Sequence, residues 1–180
     1  MLAARTRTGF ALPSTGRDGP GLGTAPAVHA AVMTNGPEII LPPRWRCTSD
    51  PERGVVVVAR QASVPPSGVP PEVVLCRTRV DASLASWRSQ ALDGLAERLD
   101  GFDLEDEDDI ELDGRDVAYR RFSHRAGLAA LVSDQWAWLA DGVGVTLTCT
   151  VAREDYACYC DVFEAVAETV DPERVARRVG

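Results

Sequence analysis

The chain reads as an α+β domain, an antiparallel sheet flanked by two main helices. Three observations carry that reading. Two Asp-Gly pairs, Asp113-Gly114 and Asp141-Gly142, each sit between alternating apolar segments, the strongest short-range signal for a hairpin. From Val143 to Val151 the odd positions are Val, Val, Leu, Cys and Val, while 146, 148 and 150 are all Thr. That alternation describes an antiparallel strand with one apolar face. Two stretches, after Ser83 and after Glu154, instead repeat their apolar residues at helical spacing.

Each element follows in turn. Glu38-Ile39-Ile40-Leu41, closed by Pro42-Pro43 and followed by Trp45, reads as a short first strand. Ser49–Gly54 is turn chemistry, and Val55–Val58 is a β-branched run suited to a strand. Residues 64–71 hold four prolines and must form a loop, after which Glu72–Val80 resumes as a strand. Asp81 or Ser83 caps a helix whose stripe is Leu84, Trp87, Ala91, Leu92, Leu95 and Leu99. Asp100-Gly101 stops it. A run ending at Leu112 pairs with Arg115–His124, and Leu128–Ala140 with Val143–Ala152. A final helix over 154–170 carries Tyr156, Tyr159, Cys160, Phe163, Val166, Ala167 and Val170 on one stripe. The expected order is therefore β-β-β-α-β-β-β-β-α.

One structured domain is expected, over residues 33–172. Residues 1–32 lack a sustained apolar period and read as a disordered tail or an upstream start ahead of Met33. Residues 173–180 read as a short basic tail. No apolar run suits a secretory signal or a bilayer span, and the first cysteine, Cys47, stands in no lipobox. A cytoplasmic protein with reduced thiols is expected, without membrane insertion. The avoidance of residues with AT-rich codons points to a GC-rich, actinobacterial-type genome.

Composition excludes several functions. All 19 basic residues are arginine, so no lysine Schiff base, Walker A lysine or lysine nucleophile exists. A net charge of −8 argues against a nucleic-acid partner. Cys158 and Cys160 fall on a helix, where residues two apart point about 200° from each other and cannot clamp one metal. The acidic stretch 103–116 has no register that meets the calcium-loop pattern and reads as a solvated loop and exposed strand edge. No cofactor, metal or catalytic set is expected. His124 follows Ser123, but neighbours on a strand face opposite ways and are no nucleophile–base pair.

Trp136 and Trp138 share one strand face with Val132 and Asp134, which suits either core packing or an aromatic groove. They and Asp106, Asp108 and Asp109 are the candidate partner-binding residues.

Several of these features occur together. A Gly101-Phe102 opening and an Asp113-Gly114-Arg115 hairpin precede a strand with Asp134-Gln135-Trp136; the Thr-rich Val145–Thr150 and a helix from Tyr156 follow. Over about 38–172 this pattern resembles the actinobacterial LpqN/LpqT-like proteins and the wider PsbP/MOG-like family that includes DcrB. The resemblance implies an α-β-α sandwich and an accessory, adaptor or chaperone-like role for a protein or peptide partner. It supplies no catalytic residues to carry over. Two other functions stay open: a carrier of a small hydrophobic ligand near Trp136 and Trp138, and an enzyme using carboxylates of 103–116 with His124.

Overall fold

The computed structural model describes residues 38–177. The expectations for the N-terminal segment up to residue 37, and for residues 178–180, lie outside the described residues. The expected number and order of strands hold, with one substitution at the start. Glu38–Leu41 is not a strand; Ile39 and Leu41 are buried in the core, and Pro42-Pro43 deny the run a ladder partner. The first strand is β1 (Trp45–Asp50), paired with β2 (Val55–Gln61), which pairs with β3 (Glu72–Arg79). Helix α1 (Leu84–Arg98) follows, then β4 (Asp100–Leu112), β5 (Arg115–Ala126), β6 (Ala129–Ala140) and β7 (Val143–Ala152). The chain ends in α2 (Tyr156–Ala167) and α3 (Pro172–Arg177).

The seven strands form one sheet in the order β1-β2-β3-β7-β6-β5-β4, every neighbouring pair antiparallel. Two meanders thus meet where β3 pairs with β7. Helix α1 is the crossover that carries the chain from the middle of the sheet to its far edge. At both Asp-Gly turns the two central residues have positive φ, 52° and 73° at Asp113-Gly114 and 51° and 73° at Asp141-Gly142. That backbone matches the strand twist, which is why Asp-Gly is selected there.

The two sheet faces differ in chemistry. The core cluster lies on one face: Val57, Leu75, Val117, Trp136, Trp138, Val145, Leu147 and Cys149 pack with Phe163 and Val166 of α2 and Val175 of α3. The segment expected to be a basic tail is therefore partly a packed helix, because Val175 and Ala176 recur on one side and reach the core. Arg115 of β5 ties α3 down with a two-pronged pair to Glu173, Nε to Oε1 at 3.0 Å and Nη2 to Oε2 at 3.0 Å.

The opposite face, under α1, is polar. Ser133, Gln135, Thr148 and Thr150 meet there across β6 and β7. Ser133 and Thr150 hydroxyls share a hydrogen bond at 2.8 Å, and Gln135 Nε2 donates to Thr148 Oγ1 at 2.8 Å. The threonines that marked the strand in the sequence are the lining of this layer.

Candidate functional site

The site is built where α1 lies across β4, β5 and β6. Ser83 caps the helix, its hydroxyl accepting from the Ser86 amide at 3.2 Å. Trp87 seats it: a Cβ on Gly144 of β7 would come within 3.0 Å of three atoms of the Trp87 ring, so the bare glycine is what lets the indole lie on the strand. One turn of the helix then carries Arg88 inward. Arg88 is 4 % exposed and is the only buried side chain of α1. Beneath it Arg120, on β5 between the inward-facing Ala118 and Phe122, is 1 % exposed.

These guanidiniums are under-partnered. Arg88 donates to Gln135 Oε1, and its face lies over the Trp87 ring, 5.4 Å from the centroid. Arg120 Nη2 donates to the main-chain oxygen of Arg88 at 2.9 Å and lies 3.4 Å from Glu107 Oε1 on β4. Among the described residues, Arg88 Nε and Arg120 Nε and Nη1 are buried without a hydrogen-bond partner. Burial, with help from the neighbouring Arg120 charge and against the pull of Glu107, brings the Arg88 pKa down to about 9. Arg88 stays cationic at neutral pH, and burial lowers the Arg120 pKa as well, against the pull of Glu107. A cleft of about 440 Å³ opens onto Arg88, walled by Ser89 and Leu92 of α1 and by Glu107, Asp108 and Asp109 of β4.

The candidate residues read from the sequence fall in different places. Asp106, Asp108 and Asp109 are exposed on β4, the edge strand of the sheet. The stretch expected as partly loop is strand throughout 100–112. Its acids divide between the faces: Glu107 and Asp109 stand opposite Arg120 and Ala118 under α1, Asp106 and Asp108 opposite Arg121 and Tyr119 on the other side. Trp136 and Trp138, at 3 % and 2 % exposed, lie in the apolar core. They form no open aromatic groove, because the strand that carries them is interior to the sheet and its apolar face is covered.

Asp134, beside the tryptophans, is 2 % exposed and fully engaged. It accepts from Tyr119 Oη at 2.7 Å, Tyr156 Oη at 2.8 Å and Arg121 Nε at 2.9 Å. Burial and the bond to Asp134 both raise the two tyrosine pKa values. Burial opposes the Arg121 cation, but Asp134 outweighs it and raises that pKa. This cluster pins α2 to the sheet. His124 sits at the end of β5, its imidazole pKa lowered by burial. Among the described residues no group of three or more His, Cys, Asp or Glu side chains is placed to hold a metal ion. Nor is any helix there long and apolar enough to cross a membrane.

The sequence marks Arg120 only as part of a basic spot with Arg121 and Arg125 that could pair with the acidic stretch, as Arg120 does with Glu107, and it does not single out Arg88, although a signal for the buried pair was present. Arg88 stands four residues after Leu84, on the apolar stripe of α1, and Arg120 occupies an inward position in the alternation Ala118, Arg120, Phe122. A charge at a core register in two elements is the pattern that marks such a pair.

No protein-family model matches the sequence, and no curated protein matches it. Solved structures do match its architecture. PA94 of Pseudomonas aeruginosa, a protein of unknown function, superposes with a TM-score of 0.59 at 15% identity, over 72% of this chain and 97% of that one. LpqN of Mycobacterium tuberculosis, described as involved in cell envelope biogenesis, gives 0.57 at 16% identity, over 72% of this chain and 79% of that one. Cyanobacterial PsbP (CyanoP) of Synechocystis sp. PCC 6803 gives 0.55 at 14% identity, over 82% and 96%. This chain has the PsbP/LpqN-like fold. At these identities the likeness concerns the fold alone, and a PsbP/LpqN-like sheet with its crossover helix is the frame on which the arginine pair is mounted.

Proposed function

We propose that this chain is a non-enzymatic binding module, acting in the cytoplasm, that engages a protein or peptide partner between α1 and the acidic β4 edge. One observation carries the reading: the sheet has a closed apolar face, while its polar face is covered by a helix with one buried side chain, beside an open cleft. Among the described residues, the edge strand next to that cleft has one side of its ladder unpaired, and it carries exposed Asp106, Asp108 and Asp109. Such an edge repels a second copy of itself and suits a basic extended segment.

The two other readings have less support. An enzyme built on the carboxylates and His124 would need them to converge, yet the acids fan out on both faces and the His124 pKa is moved by burial. A carrier would need an apolar space near Trp136 and Trp138, but both pack in the core with Leu147, Phe163 and Val166, and the cleft of about 380 Å³ that reaches Trp138 is lined also by Arg115, Asp116 and Glu173.

Site-specific photo-crosslinking in the native host tests the proposal. A benzophenone side chain at Ser89 or Asp109 is expected to trap one protein partner, and the same probe at Arg53, near the opposite sheet edge, is not. Equal or absent labelling from all three positions refutes it.

A further inference from the structure

Two buried guanidiniums lie between α1 and the sheet; among the described residues Arg120 is ion-paired to the half-exposed Glu107, and Arg88 has no ion-paired carboxylate. Three N–H-bearing nitrogens there lack acceptors among the described residues, and exposed Asp109 stands at the mouth of the cleft. Isolated buried charge is costly, and natural proteins retain it where it meets a counter-ion. We infer that Arg88, which lines the cleft between α1 and β4, and Arg120 beneath it form a carboxylate-binding site entered through that cleft.

The missing ion pair selects the ligand. A monoanion matches the one guanidinium, Arg88, that has no paired carboxylate among the described residues, whereas a phosphate dianion would bring a second negative charge past Glu107 and Asp109 at the mouth. Planar guanidinium forks match a planar carboxylate. The acidic outer wall favours a ligand that carries a cationic group beyond its carboxylate. A free basic amino acid and the chain end of a basic peptide share that chemistry. The unpartnered nitrogens are themselves buried, so admission requires α1 to shift, and Arg88 is the only buried side chain that holds it. The site does not depend on the partner proposed above: it is read by titration of the isolated protein, and the partner by crosslinking.

The test follows the arginine Nε–H resonances of the full 15N-labelled chain at constant ionic strength. The probes are acetate, L-arginine, L-argininamide, inorganic phosphate and a short peptide ending in arginine. Acetate is expected to move the Arg88 and Arg120 signals saturably. L-arginine should bind more tightly than acetate, and argininamide and phosphate should leave the signals in place. Tighter binding of the peptide than of L-arginine identifies a chain end as the source; the reverse identifies the free amino acid. Arg88→Gln should weaken L-arginine binding by about tenfold or more, the loss of one charge-assisted hydrogen bond. Glu107→Gln should strengthen acetate binding by removing the rival carboxylate, a gain that a purely structural pair would not show. The inference is overturned if neither carboxylate shifts the signals in the native chain or in E107Q. It is equally overturned if argininamide matches L-arginine, if phosphate outbinds the carboxylates, or if folded R88Q keeps full affinity. Should R88Q not fold, the E107Q titration decides.

Discussion

Replacing Arg88 by methionine should make the free protein more stable. Arg88 is buried, and its charge is disfavoured enough to bring its pKa down to about 9. At about 1.4 kcal/mol per pH unit, a fall from 12.5 to about 9 is on the order of 5 kcal/mol against the cation. Methionine removes that cost, keeps an unbranched stem of similar reach and relieves Arg120 of a like charge. Against this stand the bond to Gln135 and the contact with Trp87. They contribute roughly 1–2 kcal/mol and about 1 kcal/mol respectively. The Arg88 main-chain oxygen that accepts from Arg120 survives the substitution. The net is a gain of about 2–3 kcal/mol, in line with other replacements of under-compensated buried charge by apolar side chains. Urea unfolding at neutral pH reads the difference, with Arg88→Ala as the control that loses the packing of the stem. A destabilisation of R88M by more than about 1 kcal/mol would refute the reasoning, for it would mean that the buried cation has compensation the geometry does not show. The same variant should no longer bind a carboxylate, the usual trade between a site and stability.

Asp134→Ala should destabilise by about 3–5 kcal/mol in the same assay, because it strands Arg121 and two tyrosine hydroxyls around a buried acceptor. Tyr156→Phe, which removes one of those donors, should cost about 1 kcal/mol. Gly144→Ala should cost about 1–3 kcal/mol by displacing Trp87, and a shift in tryptophan emission should accompany it; an unchanged spectrum would count against the seating of α1 described above. The hydrogen bonds of Arg115 lower the Glu173 pKa to about 2. Its contribution is therefore present above the ordinary glutamate value of about 4.3 and is lost as pH falls through about 2. Glu173→Gln should abolish that part of the acid dependence, a small effect because the pair is partly exposed, read as melting temperature between neutral pH and pH ~2. Neutralising Asp106, Asp108 and Asp109 together to Asn should raise self-association, seen by sedimentation, since the edge strand then loses its repulsion.

Local chemistry settled much of this protein before any tertiary contact was considered. The two Asp-Gly pairs carry the positive φ their turns need, and Ser83 supplies the α1 cap. The Thr alternation on β7 marks a strand with one polar face, because hairpins, caps and two-residue periodicity depend on neighbours within a few positions. Long-range pairing decided the rest. Ile39 and Leu41 have strand-forming side chains but reach the core as an extended segment, since the prolines after them cannot join a ladder. Val175 and Ala176 become core only because α3 folds back to β5 through Arg115. Trp136 and Trp138 are sealed because β6 is interior to the sheet, which their own strand cannot reveal. Arg120 belongs in the sequence to a local basic spot with Arg121 and Arg125. It becomes one half of a buried pair only when the crossover from β3 to β4 lays Arg88 of α1 over it. Periodicity assigns a residue to a face; only the topology says what that face meets.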